Sequence, residues 1–385
     1  MPPRIVHIIG DGRPGGGATA VLTLARLLTA GGNESAIITQ TDSPLIRQAA
    51  AAGIEVRSAD FSRRGNTLAA ARSIAAHLRD LGAGIVHAHG ARAGLPAALV
   101  APGLVAPGRH RKFVYTVHGF HFPHKPHGLR ELAWAAEGFI MARAACTIFV
   151  SAADSLIGQR YRLTALAPSS QIIKNAVVVD PGLFSSEKVY DIGFLGRLHH
   201  QKNPLILADV LKAIRPSQPS LCVIGGGELE QDLRQRLAAE GLAGQVDLQG
   251  EQDRDGALRL LARCRVLVLP SRWEGHPLAP IEAMHLGLPT VASDIPGTNE
   301  IVVEGETGFL VPALSVPDYA NRLQALLGDD ALLSRMSRAA RQCAEREYAP
   351  ELMAASYRAV YGFAPRTASA PQQNSNAGYS HCVER

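Results

Sequence analysis

Charge is sparse in this chain. Asp, Glu, Lys and Arg make up 19% of its 385 residues, and 39 basic against 34 acidic side chains leave a formal charge of +5. A pI near 9.0 favours anionic partners. With so few charges, nucleic acid is a poor fit, and a nucleotide sugar or an acidic membrane face suits better. Cysteine is equally thin. Cys146, Cys222, Cys264, Cys343 and Cys382 are scattered without a close pair, which offers no disulfide framework and leaves reduced packing residues. Long apolar runs are absent. None reaches membrane-spanning length, and the N-terminal run in MPPRIVHIIGDG is too short for a signal peptide, so a cytoplasmic location is expected.

What the chain has is apolar mass in alternating patterns. At 385 residues and 46% apolar it can fill the cores of two ordinary domains. Strand-like and helix-spaced segments alternate almost throughout, which argues for α/β layers on parallel sheets. The first strand, Arg4 to Ile9, meets a loop containing Gly10, Gly12, Gly15, Gly16 and Gly17 before a helix from about Ala18 to Ala30. Such a turn lets backbone approach a phosphate or a sugar, but its spacing departs from the dinucleotide fingerprint.

Further strand–helix units follow. A basic knot of Arg109, His110, Arg111 and Lys112 precedes the strand Phe113 to Val117, and reads as a solvated loop or as donors facing lipid phosphates. That strand ends in His118, followed by Gly119, where α/β proteins place ligand-contacting side chains; a structural histidine is the alternative. His121, His124 and His127 share a spacing of three, but Pro123 and Pro126 break any helix that could align them on a metal. The helix Leu129 to Ala145, with Trp134 and Phe139, reads as core packing rather than as an interfacial membrane helix.

Pro181 to Lys188 looks like the crossing between domains. The strand Tyr190 to Leu195 then leads into Gly196, Arg197, Leu198 and, a few residues on, Lys202; two cations in one loop after a strand suit a diphosphate. Gly225, Gly226 and Gly227 make a tight strand-to-helix turn, with a nucleotide wall as the functional version. Asp253, Arg254 and Asp255 precede a helical pattern, so capping explains the acidic pair better than a metal does. Asp294, Ile295, Pro296, Gly297 and Glu300 read as another strand, turn and helix.

The most informative stretch is LVLPSRWEGHPLAPIEAMHLGLPTV, residues 267–291. A buried strand runs into a loop carrying Glu274, Gly275, His276 and Pro277. A helix starts near Leu278 with Glu282 in its first turn, and stops at Gly287. Unpaired amides of Leu278 and Ala279, with the positive end of the helix dipole, form an anion site. A carboxylate there can instead accept hydrogen bonds from sugar or ribose hydroxyls.

This stretch resembles the signature of glycosyltransferase family four, retaining enzymes of the GT-B fold. Glu274, Gly275, Pro277, Leu278 and Glu282 match it, as does the GRL phrase at residues 196–198 followed by Lys202. The resemblance implies two Rossmann-like parallel-sheet domains facing across a cleft and a hexosyltransferase that takes a nucleotide-sugar donor. It implies that Arg197 and Lys202 hold the diphosphate, Glu274 the donor sugar and Glu282 the ribose, and that His118 meets the reacting end from the opposite domain. Gly15, Gly16 and Gly17 would lie beside the donor phosphate, although Ala18 and Thr19 stand where many members carry a charged residue. Gly275, His276, Pro277, Leu278 and Ala279 complete the expected donor site. No metal or other cofactor is expected.

The expected divisions are an acceptor-side domain over 1–182, a donor-binding domain over 183–348, a crossover helix over 349–363 and a disordered tail over 364–385. The expected partners are a nucleotide sugar and a glycan or lipid-linked acceptor, with peripheral contact at the inner membrane face and no nucleic acid. Assembly of surface polysaccharide or glycolipid is the expected setting. A nucleotide-sugar epimerase of the same fold and a catalytically silent donor-binding subunit are the rival readings.

Overall fold

The computed structural model describes residues 3–363 apart from 14, 62–65, 103, 107–108 and 185–186. The tail 364–385, with Cys382, and the side chains of Arg109 and His110 lie outside the described residues. The first half supplies strands β1 (Arg4–Ile9), β2 (Ser35–Gln40), β3 (Glu55–Ala59), β4 (Ala83–His89), a short hairpin of β5 (Leu104–Ala106) and β6 (Arg109–His110), then β7 (Lys112–Val117), β8 (Cys146–Phe149) and β9 (Ser170–Ile172). Around them lie helices α1 (Gly16–Ala30), α2 (Pro44–Ala51), α3 (Thr67–Asp80), α4 (Ala91–Val100), α5 (Leu129–Arg143) and α6 (Ala152–Arg160).

The second half repeats the scheme with β10 (Tyr190–Leu195), β11 (Leu221–Ile224), β12 (Val246–Leu248), β13 (Cys264–Leu269), β14 (Thr290–Ser293) and β15 (Gly308–Val311). Its helices are α7 (Ile206–Ala213), α8 (Glu230–Ala239), α9 (Arg254–Ala262), α10 (Leu278–His285), α11 (Val316–Gly328) and α12 (Asp330–Glu347), followed by α13 (Pro350–Tyr361).

The first sheet has the order β3-β2-β1-β4-β7-β8-β9 and the second β12-β11-β10-β13-β14-β15. Pairing is parallel throughout both. Helices cover both faces, so central strands are buried on both sides and read as apolar runs; every residue of β1 after Arg4 is buried. Strand order reverses direction beside β1 and β4 in one sheet and beside β10 and β13 in the other. Ligands of open α/β sheets bind at the carboxyl ends of strands flanking such reversals. Those ends carry Gly10, Gly90, Gly196 and the loop Pro270–Pro277.

Contacts between the halves line one seam. Asn175 Nδ2 donates to the carbonyl of His276 at 3.1 Å. The Glu300 carboxylate accepts from the amides of Ala152 and Ala153 at 2.6 and 2.7 Å, so an acid from the second sheet's domain caps α6 in the first. The chain then returns through α13, whose Met353, Tyr357, Val360 and Tyr361 are buried with Leu24 and Leu28 of α1 and Ile85 and Val114 of the first sheet. Tyr361 Oη lies 2.7 Å from His87 Nδ1.

The structure corrects several expectations. α1 begins at Gly16, two residues before Ala18, so Gly16 and Gly17 are helical. Residues 294–304 form successive turns and no helix, because Pro296 and a left-handed Gly297 interrupt the chain. α5 is not mainly a core helix. It buries Glu137, Gly138, Ile140 and Met141 and leaves Leu132 69% and Phe139 41% exposed. The basic knot is not a free loop either, since Lys112 Nζ donates to the Val360 carbonyl at 2.5 Å and Arg111 to that of Ala83 at 3.3 Å. Among the described residues no helix is long and apolar enough to cross a membrane.

The α13 latch makes a prediction. Tyr361→Phe removes the partner of a buried imidazole nitrogen and should cost about 1–3 kcal/mol. Tyr357→Phe, whose hydroxyl is a distant 3.4 Å from Thr116 Oγ1, should cost less than half of that. Urea midpoints check the order; equal midpoints would contradict it.

Candidate active site

The second domain's share of the site starts at β10. Gly196 and Arg197 follow the strand, and a single helical turn over His200–Lys202 brings Lys202 back toward β13. The loop is held from behind by the glycines after β11: Leu198 N donates to Gly226 O at 2.8 Å, and Leu229 N to Leu198 O at 3.0 Å. Gly225 sits at φ 131°, and a Cβ there would lie 2.1 Å from the Gly196 carbonyl oxygen, so only glycine lets these loops close up.

Lys202 and Glu274 meet directly. Their Nζ and Oε1 atoms are 2.5 Å apart, and the side chains are 17% and 6% exposed. Ser271 Oγ donates to the same oxygen at 2.6 Å. The two residues expected on the diphosphate and the sugar thus hold each other. The loop between β13 and α10 is pressed against the first domain: a Cβ on Gly275 would come within 2.9 Å of Gly119 Cα and 3.0 Å of the His118 carbonyl.

α10 starts after Pro277, and its first amides, Leu278 and Ala279, have no carbonyl in the helix to bond. Glu282 is its fifth residue and stands in the second turn rather than the first. There its Oε1 is 2.5 Å from Arg254 Nη1, with the side chain 8% exposed. Asp253 accepts from Gly256 N at 2.7 Å, so it caps α9 and leaves Arg254 free to reach Glu282. His276 turns away from this row. It is buried against Tyr348, with ring centroids 5.9 Å apart, and both of its ring nitrogens lack partners.

The first domain answers with α1. Its N-cap is Gly15, and the amides at its start belong to Gly16, Gly17 and Ala18. A Cβ on Gly16 would lie 3.6 Å from Leu278 Cγ, so the starts of α1 and α10 approach each other from opposite domains. Asp11 sits in the preceding loop, gripped by Arg13 at 2.9 and 2.7 Å. The hydrogen bond from Arg13 holds the Asp11 carboxyl below its ordinary pKa, and the charge of Arg197 across the gap adds to the effect.

The cleft between these parts holds about 800 Å³ and is lined by Gly15, Gly16, Gly17, His118 and Arg197, and deeper in by Glu137. Arg197, His118 and the Gly15–Gly17 turn therefore share one cavity. Lys202, Glu274 and the α10 start border it through the Gly119–Gly275 and Gly16–Leu278 contacts, while His276 packs against Tyr348 and Glu282 pairs with Arg254.

Two groups of residues here escaped the sequence reading. His7, His87 and His89 lie buried behind His118. The signal was the spacing of His87 and His89, two apart on one strand face; the register that pairs His7 with His87 was not in the sequence pattern. The other group is Glu137, whose Oε2 accepts from Tyr115 Oη at 2.7 Å. Burial raises the Glu137 pKa to about 7 and that of Asp154 to about 6. Burial lowers His7 to about 3 and His118 to about 4. It lowers His276 to about 3, helped by Lys174 and His118, and drives His87 and His89 well below the usual range.

These shifts fix a pH dependence. A histidine held neutral in the fold is protonated near 6.5 once unfolded, so stability present above that value is lost as pH falls toward the folded pKa values of about 3 to 4. Glu137 and Asp154 have raised values and act oppositely, losing stability as pH rises through about 6 to 7. Five lowered histidines outweigh two raised acids. The denaturation midpoint should be lower at about pH 5 than at about pH 7.5, and a higher midpoint at pH 5 would contradict the neutral cluster.

Known proteins show the same organisation. Residues 14–165 match the family model "Glycosyltransferase Family 4" and residues 180–343 match "Glycosyl transferases group 1". The chain is 32% identical over 183 residues to the lipopolysaccharide core biosynthesis mannosyltransferase LpsB of Rhizobium meliloti, covering 44% of this chain and 50% of that protein. It is 36% identical over 149 residues to the Escherichia coli UDP-Gal:alpha-D-GlcNAc-diphosphoundecaprenol alpha-1,3-galactosyltransferase, covering 37% of this chain and 38% of that one. The matches thus span half or less of these curated relatives. Among solved structures, Anabaena HepE in complex with UDP and glucose superposes with a TM-score of 0.78 at 19% identity, covering 94% of this chain and 99% of that one. Sucrose-phosphate synthase from Thermosynechococcus elongatus gives 0.77 at 19% identity, covering 94% and 98%. Two matched family models that divide the chain between them, two parallel sheets and a shared cleft lead to one assignment: the chain belongs to glycosyltransferase family 4 and has the GT-B fold.

Proposed function

We propose that the chain is a retaining glycosyltransferase that moves a hexose from a nucleoside diphosphate sugar to an acceptor hydroxyl. The observation that carries this reading is the meeting of two helix starts, α1 and α10, beside Arg197 and Lys202. Bare amides, dipole ends and two cations from both domains suit one diphosphate. They meet the charge that grows on the leaving phosphate as the glycosidic bond breaks, so no metal ion is required.

In this reading Lys202 leaves Glu274 when a diphosphate arrives. The freed Glu274 carboxylate accepts from hydroxyls of the donor sugar, and Glu282 takes the ribose with the oxygen that Arg254 does not hold. The C1–O bond to the phosphate breaks toward Arg197, Lys202 and the amides of Leu278 and Ala279. The acceptor oxygen attacks C1 from the same face, and a phosphate oxygen receives its proton. Closure of the two domains keeps water from the donor.

The first domain's wall of the cleft serves the acceptor. Arg92, Lys125, Phe122 and Glu137 line it, a set that pairs cations and apolar wall with one carboxyl near neutrality, and so suits a glycan joined to an anionic or lipid group. Exposed Leu129, Leu132 and Phe139 on α5, with Arg130 and Arg143 on the same helix, support peripheral contact with an anionic membrane surface. Assembly of a surface polysaccharide or glycolipid in the cytoplasm fits these features, the lipopolysaccharide core named for the mannosyltransferase relative and the diphosphoundecaprenol-linked sugar named for the galactosyltransferase relative.

Three measurements test the reading. A thermal-shift series with UDP, GDP and ADP should show one nucleotide raising the melting temperature by mass action. Lys202→Ala should lower kcat/KM at least about 100-fold, whereas Glu137→Gln should raise the acceptor KM and leave the donor KM within about twofold. If the unaltered protein binds a nucleotide sugar yet transfers to no acceptor, the silent-subunit reading replaces this one.

A further inference from the structure

Behind His118 stands a row of imidazoles for which the donor chemistry has no use. His89 Nδ1 lies 3.0 Å from His118 Nε2, and His89 Nε2 lies 3.2 Å from His7 Nδ1. At the far end His7 Nε2 is buried without a partner. At the near end His118 lines the cleft, and its Nδ1 has no protein partner among the described residues. His87 packs against His89 with the rings tilted by 41° and centroids 3.9 Å apart, and both its nitrogens are taken, by Tyr361 Oη and Thr116 Oγ1 at 2.7 Å each.

A neutral imidazole has one N–H and one lone pair. Burial lowers the pKa values of His7, His89 and His118, so all three are neutral near pH 7. The middle ring must then donate on one side and accept on the other, and both bonds run in the same direction. Only two assignments exist. With every proton on Nε2, the row ends in a buried N–H at His7 that finds no acceptor. With every proton on Nδ1, it ends in a lone pair at His7 and an N–H at His118 that faces the cleft. An orphaned buried N–H is the rarer defect in folded proteins, which favours the second assignment.

We infer that His7 and His89 are positioning residues that lock His118 in its Nδ1–H tautomer, so that it meets the donor sugar as a hydrogen-bond donor and is excluded as a general base. Its basic nitrogen is spent on His89. Three side chains from β1, β4 and the end of β7 thereby set one proton at the reacting end of the cleft. Three of these rings could be taken for a metal site, because ligand atoms of His7, His87 and His89 lie within 4.8 Å of one another. The two hydrogen bonds that occupy both nitrogens of His87 favour the row of hydrogen bonds.

The inference rests on the reading of His118 as facing the donor, but its first test needs no turnover. In the full chain labelled with 15N-histidine, two-bond 15N–1H correlation spectra near pH 7 should show Nδ1–H tautomers for His7, His89 and His118. Nε2–H at His118, a mixture of tautomers, or a tightly held metal ion found by elemental analysis would overturn the proposal. In the second test, His89→Leu should release the His118 tautomer and lower kcat about tenfold, the worth of one hydrogen bond, with donor KM within about twofold. His89→Gln, whose amide N–H can still donate to Nε2, should restore most of the rate. An unchanged kcat in His89→Leu would contradict the lock, and if that variant fails to fold, the spectrum of the unaltered protein decides.

Discussion

Two helices begin close to each other from opposite domains, so that a Cβ added to Gly16 at the start of α1 would meet the Leu278 side chain at the start of α10, and the rest of the molecule is arranged to keep them there. Helix starts repel one another when nothing lies between them, since each carries bare N–H groups and the positive end of a dipole. The opposing forces are the seam contacts: the Glu300 carboxylate on α6, Asn175 on the His276 carbonyl, and α13 packed back onto the first sheet. Gly119 and Gly275 make the remaining approach possible because neither has a side chain to intervene. An anion between the helix starts would turn this repulsion into attraction, which is why a diphosphate is the natural bridge between the domains.

The cations and acids near that gap follow one rule. Each of the two buried carboxylates has a partner of opposite sign, Glu274 with Lys202 and Glu282 with Arg254. A buried charge left alone is costly, so in the proposed function a donor exchanges these pairs for its own contacts. Arg197, exposed at the cleft mouth, is suited to first contact. The first domain uses another device, burying histidines in neutral form and carboxyls whose pKa values burial raises toward neutrality.

Much of the architecture was legible in the sequence. Alternating apolar periods gave the order of strands and helices, and glycines after β1, β10 and β11 marked where backbone comes close to backbone. Arg197, Lys202 and Glu274 could be placed because the loops after β10 and β13 carry the motifs of the family resemblance. The failures share a cause. Glu282 stands apart from them: α10 starts at Leu278, as expected, which makes Glu282 its fifth residue and puts it in the second turn. Its pairing with Arg254, the capping of α6 by Glu300, and the row from His7 to His118 all join residues far apart in the chain. Such contacts depend on sheet register and domain seating, which local pattern does not encode. α5 failed for another reason: its apolar period matched a core helix, yet only one narrow face reaches the core.

A crystal structure with the nucleoside diphosphate that gives the largest thermal shift would test the central claim most directly. The pyrophosphate should lie within hydrogen-bond reach of Arg197, Lys202 and the amides of Leu278 and Ala279, with the Lys202–Glu274 pair opened. A pyrophosphate bound elsewhere, or one bound here while Lys202 still grips Glu274, would contradict it.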